Sequence, residues 1–396
     1  MKMNTPKLLR LKIGIFGRRN VGKSSIMNML SDQDTSIVSD VAGTTTDVVE
    51  KSIEIHGIGA AVLLDTAGVD DIGELGAKRI LKTKKAIDEI DMAVLVLESN
   101  KITDFETGLI ADFKQNKRPF LIFVNKCDTQ KPNDDFLKQI GEYDFVLTSA
   151  KTKLNLEEVY EALLKTTKKI KPDESSLFDG ILKEEDLVLL VAPIDEEAPK
   201  DRLILPQVQA IRKILDNKAF SLVTQDSDIS KICQRVKPDL IVCDSQCVLE
   251  VVKTAPKDIN ITTFSILMSR LKGDLKEFII GANKIDELKN NDKILIAEAC
   301  THNTKDGDIA RVKIPKLLRK FTQKELEFHY TNGKDYPDNL NEFAVIIHCG
   351  GCMINKNLMQ SRINKAKKSE ICITNYGIAI SKCQGVLDRV IEIFDF

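Results

Sequence analysis

The run Gly17-Arg18-Arg19-Asn20-Val21-Gly22-Lys23-Ser24 constrains the fold of this 396-residue chain more than any other feature. It follows an apolar stretch, Leu11 to Phe16, that reads as a buried strand, and it opens a helical pattern through about Leu30. Strand, G-x-x-x-x-G-K-S loop and helix in that order make a phosphate-binding turn. Gly17 and Gly22 let the backbone point its N–H groups at phosphate oxygens, with Val21 and Ser25 completing the loop. Lys23 adds a point charge for the β and γ oxygens, and the Ser24 hydroxyl suits Mg²⁺.

Three later motifs identify the base. Ala61 to Leu64 reads as a strand leading to Asp65-Thr66-Ala67-Gly68, where Asp65 can hold the magnesium shell and Gly68 can reach the γ-phosphate. Phe120 to Val124 is another apolar strand, ending in Asn125-Lys126-Cys127-Asp128. The Asp128 carboxylate accepts from guanine N1–H and its 2-amino group, donors that adenine does not present in this arrangement. Ser149-Ala150-Lys151 follows strand Phe145 to Leu147 and fits the loop that backs the base. Four motifs in order, each at a strand end, predict an α/β domain that binds GTP or GDP. Its sheet is mostly parallel, with the ligand at the carboxyl edge.

This region resembles small GTPases of the translation-factor class, most closely the branch typified by the tRNA-modification GTPase and Era-like proteins. Val69 follows the Asp65 to Gly68 motif and has no polar atom to orient a water, unlike a Ras-type glutamine. Asn20, with Gly43-Thr44-Thr45-Thr46-Asp47 downstream, resembles the arrangement by which that branch recruits potassium. The resemblance implies K⁺ among Asn20, Ser39, Val41 and Thr44, and Thr45 beside Ser24 on Mg²⁺. Catalytic roles then fall to Lys23, Asn20 and Thr45. Relatives carry arginine where this chain has Thr46. Slow, K⁺-stimulated hydrolysis is expected, with switch segments at about Ser36 to Thr46 and Val69 to Arg79.

The net charge of −1 gives no general attraction to nucleic acid or anionic membrane. Lysine runs at Lys165 to Lys171 and Lys365 to Lys368 read as solvated helix ends. No apolar stretch reaches the roughly eighteen residues that span a bilayer, and Met1 to Arg10 lacks a signal-peptide pattern. A cytoplasmic location is therefore expected, with no nucleic-acid or membrane partner. In a reducing compartment nine cysteines argue for ligands and buried thiols instead of disulfides.

Beyond a linker at Lys171 to Ser176, strands and helices alternate again. Strands are predicted at Leu187 to Val191, Ala219 to Val223, Leu240 to Cys243 and Ile261 to Phe264. Helices are predicted at Pro206 to Leu215, near Ile229 to Arg235 and through Val252. This small parallel unit has no glycine-rich turn for a second nucleotide, and Cys243 and Cys247 read as buried thiols. A small sheet with little apolar cover gains by pairing with its own copy.

Cys300-Thr301-His302 and His348-Cys349-Gly350-Gly351-Cys352 hold three of the nine cysteines and two of the four histidines. Thiolate and imidazole are the donors of soft and borderline metals. Strands Lys293 to Ala299 and Phe343 to Ile347 lead into these runs, and each is followed by a helical pattern, Ile309 to Phe321 and Leu358 to Lys367. If the strands are parallel neighbours, their carboxyl ends converge and bring the donors together. Gly350 and Gly351 allow a tight turn between two sulfurs. Zinc could draw four ligands from these five candidates. An iron–sulfur cluster could take the three thiolates, leaving its fourth iron to His302, His348 or an exchangeable ligand. A dithiol of Cys349 and Cys352 is the third reading.

All three segments together resemble the [FeFe]-hydrogenase maturation GTPase family, and C-x-H…H-C-x-x-C is specific to it. The resemblance implies a P-loop GTPase domain at 1–172, a small parallel α/β dimerisation domain at 177–265 and a C-terminal α/β cluster-binding domain at 266–396. It implies a [4Fe–4S] cluster on Cys300, Cys349 and Cys352, and a homodimer through the middle domain. It also implies a carrier that receives a diiron precursor from two radical-SAM maturases and delivers it to apo-[FeFe]-hydrogenase. The rival expectation is a zinc-binding GTPase in RNA modification or ribosome assembly, against which the balanced charge speaks.

Overall fold

The computed structural model describes residues 10–31, 49–55, 57–66, 83–170, 177–193, 203–299, 309–333, 335–351 and 354–394. The chain divides into two compact units, Met1–Pro172 and Asp173–Phe396.

The first unit is built on a six-stranded sheet. Its strands are β1 (Leu11–Phe16), β2 (Val49–Ile55), β3 (Gly59–Asp65), β4 (Met92–Glu98), β5 (Phe120–Asn125) and β6 (Phe145–Leu147), in spatial order β2-β3-β1-β4-β5-β6. All neighbours are parallel except β2, which runs antiparallel on β3. Side chains alternate across a strand, so consecutive apolar residues serve opposite faces. Ile13, Ile15, Leu63, Val94, Val96, Leu121 and Phe123 pack on one face with α1 (Lys23–Ser31) and α5 (Leu156–Thr167). Phe16, Val62, Leu64, Leu95, Leu97, Ile122 and Val124 pack on the other. There they meet α2 (helical over 83–89), α3 (Asp104–Gln115) and α4 (Asp134–Ile140). This double cover is why β4 reads as an unbroken apolar run.

The second unit holds two all-parallel four-stranded sheets. One comprises β7 (Leu187–Val191), β8 (Phe220–Thr224), β9 (Leu240–Cys243) and β10 (Asn260–Thr263), ordered β10-β9-β7-β8. The other comprises β11 (Lys293–Ala297), β12 (Glu327–Thr331), β13 (Val345–His348) and β14 (Cys372–Asn375), ordered β12-β11-β13-β14. Each sheet places its second strand outside its first and its third inside. Both therefore have a switch point between first and third strands, where open α/β sheets place their ligands.

Connecting helices are α6 (Leu205–Asp216), α7 (Ile229–Arg235), α8 (Val248–Thr254), α9 (Phe264–Lys272), α10 (Leu275–Asn283), α11 (Ile314–Thr322), α12 (Lys356–Lys368), α13 (Tyr376–Cys383) and α14 (Leu387–Ile391). One continuous apolar core runs from Leu189, Ile241 and Val248 to Ile294, Ile346 and Ile363, so the two sheets share it. Helix α10 covers the edge strand β14 closely. A Cβ at Gly281 would run into the Ile373 carbonyl, and only glycine admits that approach. The outer strand β8 is different: Phe220, Leu222 and Val223 are all exposed.

Several boundaries differ from the sequence reading, among them β13, which runs Val345–His348 instead of Phe343 to Ile347 and so takes in His348. Strand β11 ends at Ala297, not Ala299, and Phe264 starts α9 instead of ending β10, with Thr263 capping the helix. The pattern from Ile309 opens with a π-helical turn, Ile309–Lys313, before α11, whose first turn holds Pro315. Among the described residues no helix is long and apolar enough to cross a membrane.

Candidate nucleotide and metal sites

Four loops leave the carboxyl edge of the six-stranded sheet, after β1, β3, β5 and β6. In the first, Gly17 and Gly22 adopt φ of 141° and 97°, values that L side chains avoid. A Cβ at Gly22 would strike the Asn125 amide, and one at Gly17 the Val96 carbonyl. Lys23 folds across its own loop and donates to the Arg18 carbonyl at 2.7 Å. The Arg18 guanidinium is in turn anchored on the fully buried Glu106 of α3. That ion pair joins residues 88 apart, so no local signal announces it.

The Ser24 hydroxyl donates to Asp65 Oδ2 at 2.7 Å. The other oxygen, Oδ1, is enclosed and has no hydrogen-bond partner among the described residues. Burial raises the Asp65 pKa, against the opposing pull of Ser24 and Lys23. An enclosed carboxylate oxygen with an unmet lone pair beside a serine hydroxyl suits a hard divalent cation. The residues present therefore fit Mg²⁺.

Asn125 ties three motifs together. Its Nδ2 donates to the Val21 carbonyl and its Oδ1 accepts from the Ala150 N–H, both at 2.9 Å. Lys126 has a left-handed φ of 64° and pairs with Glu98 at 2.8 Å. Asp128 and Lys151 are exposed, while Ser149 is buried and its Oγ accepts from the Thr152 N–H at 3.2 Å. Asn20 is exposed, with a left-handed φ of 63°. Ser39, Val41, Thr44, Thr45, Gly68 and both switch segments lie outside the described residues.

In the second unit, β11 and β13 are parallel neighbours, with Ala297 in register with His348. Their carboxyl ends therefore meet. The Cys349 N–H donates to the Ala297 carbonyl at 2.8 Å, and the Ala299 N–H donates to Cys349 Sγ at 3.1 Å. Cys300, His302 and Cys352 lie outside the described residues, but the backbone one residue before Cys300 touches the Cys349 sulfur. Gly351 takes a left-handed φ of 62°, and a Cβ there would collide with Met359. From α9, Lys272 Nζ donates to the carbonyls of Gly351 at 3.2 Å and Ile354 at 3.0 Å. A half-buried sulfur that accepts an amide N–H, on a glycine turn, fits a thiolate ligand, since N–H donors favour the ionised form.

His348 has a different position. It is fully buried, its Nδ1 bonds to the Cys349 carbonyl at 2.7 Å, and its Nε2 faces Arg362 Nη1 at 2.7 Å. A guanidinium can only donate, so Nε2 accepts and Nδ1 carries the proton. Burial first, and Arg362 second, push its pKa down to about 3, so the ring is neutral. In this arrangement both ring nitrogens are engaged, Nδ1 by the Cys349 carbonyl and Nε2 by Arg362.

Arg362, on α12, is 2 % exposed; its Nη2 donates to the Gly333 carbonyl at 2.7 Å, and its guanidinium lies 5.0 Å from the Tyr336 ring centre. Sequence reading missed both Arg362 and Lys272: Arg362 sits inside a helix pattern that looks solvated, and Lys272 ends α9, a helix that was not predicted.

Three family models cover most of the chain. Residues 177–273 match the Hydrogen maturase F dimerization domain and residues 276–393 the Hydrogen maturase F tetramerization domain. The chain belongs to the hydrogen maturase F family. Residues 12–126 match the 50S ribosome-binding GTPase model, so this member of the family carries a P-loop GTPase domain. That domain is similar to the tRNA modification GTPase MnmE of Lactobacillus helveticus, 38 % identical over 167 residues, 40 % of this chain and 35 % of that protein. The corresponding protein of Coxiella burnetii is 37 % identical over 155 residues, 37 % of this chain and 33 % of that protein. The likeness thus spans about a third of these curated relatives. Among solved structures, a variant of Aquifex aeolicus Era bound to GDP and AlF4⁻ is 27 % identical over 39 % of this chain and 56 % of that one, with a TM-score of 0.33.

Proposed function

We propose that this chain is a GTP-hydrolysing scaffold and carrier in [FeFe]-hydrogenase maturation. The observation that carries the reading is the junction of β11 and β13, where the Ala299 N–H meets the Cys349 sulfur at 3.1 Å. Cys300, Cys349 and Cys352 would hold a [4Fe–4S] cluster. Such a group supplies an iron with an exchangeable position at which a cargo ligand can bind. His302 and His348 are the alternative ligands for the fourth iron when no cargo is bound, and the contact of His348 Nε2 with Arg362 favours His302. The cargo is a diiron precursor received from two radical-SAM maturases and delivered to apo-[FeFe]-hydrogenase. The protein's own contribution is to fix the Cys349 to Cys352 turn, through Lys272 and His348, at a crevice that a partner can reach.

In the first domain, backbone N–H groups of the Gly17 to Ser24 loop and Lys23 neutralise the β and γ phosphates. Ser24 and Asp65, with Thr45, hold Mg²⁺, and Asp128 selects guanine. Asn20, Ser39, Val41 and Thr44 would hold K⁺, which takes the place of a catalytic arginine. Because Val69 offers no polar atom to the attacking water, turnover is slow.

The protein works as a homodimer through its middle domain, and the family's domain names extend this to a tetramer. Strand β8 supports the first step: an outer strand that exposes Phe220, Leu222 and Val223 is a template for pairing with its copy. The setting is the cytoplasm, without nucleic acid or membrane.

Anaerobic reconstitution with iron and sulfide tests the reading. A brown protein whose reduced form gives a cluster EPR signal, lost in Cys300→Ala, is expected. A colourless protein that retains one tight zinc would instead support a zinc-binding GTPase.

A further inference from the structure

A cavity of about 450 Å³ opens in the second unit between the turn at Asp179, the junction of α9 with α10, and Phe394. Arg270 and Lys276 are among the residues that line it. Neither cation has an ion-pair partner among the described residues. The Arg270 guanidinium lies 5.7 Å from the Phe394 ring centre, and its Nη1 is enclosed with no hydrogen-bond partner. An enclosed, unmatched guanidinium N–H carries a desolvation cost, and such groups in native folds call for an explanation.

The acids nearby do not supply one. Asp274 Oδ1 caps α10 by accepting the Glu277 N–H at 3.2 Å, and its Oδ2 pairs with Lys367 at 3.3 Å. Asp179 is an exposed acid on the rim. One wall is therefore cationic: a fork of guanidinium donors, an ammonium, and the first turn of nine-residue α10, whose leading N–H groups have no helical acceptor. The opposite wall, at Ile181, Ile393 and Phe394, is apolar.

We propose that this cavity binds a small phosphate-bearing molecule. A phosphate offers several oxygens to donors arriving from three directions, which a halide does not. The volume lies within the range of small-molecule sites and leaves room for an organic group against Phe394. The site adjoins the cysteine loop. Gly273, on the cavity wall, accepts from Gln360 Nε2 at 2.7 Å, and its neighbour Lys272 holds the Gly351 carbonyl at 3.2 Å.

The test is calorimetric titration of the full chain with inorganic phosphate and with phenyl phosphate. The P-loop is first saturated with a non-hydrolysable GTP analogue and Mg²⁺, so that it cannot accept either probe. Saturable binding is expected, weakened at least about tenfold by Arg270→Gln and by Lys276→Gln, each of which removes a charge-assisted contact. Lys276 is exposed, so its replacement leaves the core intact. Lys289→Gln is the surface control and should leave binding unchanged. Asp179→Asn should tighten binding by removing the rim acid. Tighter binding of phenyl phosphate identifies an ester as the ligand, and equal affinities identify free phosphate; both sustain the site. No saturation, or binding indifferent to both Arg270→Gln and Lys276→Gln, overturns it.

Discussion

Replacing Arg362 by leucine should loosen the metal crevice from behind, without touching a ligand. The guanidinium is 2 % exposed and donates to His348 Nε2 and the Gly333 carbonyl, both at 2.7 Å. Leucine leaves the buried His348 Nε2 unmatched, at about 1–3 kcal/mol, and the half-buried Gly333 carbonyl at the lower end of that range. Loss of the stacking on Tyr336 removes about 1–2 kcal/mol more. Against this, the variant no longer desolvates a cation, and leucine recovers part of the packing. The partners left behind are neutral, so the unmatched acceptors dominate, and a net loss of about 2–4 kcal/mol is expected. The two units need not unfold together, so a global midpoint is the wrong readout. Native-state hydrogen exchange followed on peptides from β13 and α12 isolates the effect. A double-mutant cycle with His348→Leu should return a coupling of about 1–3 kcal/mol, since that substitution removes one of the orphaned acceptors. Unchanged exchange in β13, or strictly additive single effects, would show that the Arg362–His348 contact does not hold the crevice.

Other expectations follow from the same geometry. Gly22→Ala puts a Cβ against the Asn125 amide at a φ of 97°, so GTP affinity should fall at least about a hundredfold by equilibrium dialysis. Wild-type affinity in that variant would remove the close packing of the two loops from the account. Phe220→Glu introduces a charge on the exposed edge strand and should shift the chain to a smaller assembly in sedimentation; an unchanged mass would move the interface elsewhere. GTP turnover should be faster in K⁺ than in Na⁺, a difference that Asn20→Ala abolishes; equal rates in the two salts would remove the potassium assignment.

Much of this architecture is legible from residues alone. The turn from Gly17 to Ser24 and the strand ends at Asp65, Asn125 and Ser149 require a parallel sheet, because only parallel strands bring such loops to one edge. Apolar runs such as Leu187 to Val191 and Leu240 to Cys243 announce strands covered on both faces. Strand β12, with the sequence Glu327 to Thr331, is missed because an edge strand carries mixed polar residues and lacks such a run. Strand β14 is too short to stand out from the α12 lysines that precede it. Pairing of β11 with β13 could be posed from sequence only as a condition, since parallel register depends on a crossover that local patterns do not encode. The role of His348 was legible only as a metal-ligand type. Its actual partner, Arg362, lies 14 residues away on a helix, and nothing in the sequence ties that helix position to the imidazole.

The central claim is that sulfurs remote in sequence grip one inorganic group, and thiol protection tests it directly. Metal-free and iron–sulfide-reconstituted protein would be alkylated anaerobically, with each cysteine followed by mass spectrometry. Cys300, Cys349 and Cys352 should become protected together on loading, while Cys233 and Cys372, half-buried in the described fold, keep their metal-free rates. Labelling of Cys300 at its metal-free rate in fully loaded protein would contradict the account, leaving a P-loop GTPase domain attached to a domain that binds its metal in another way.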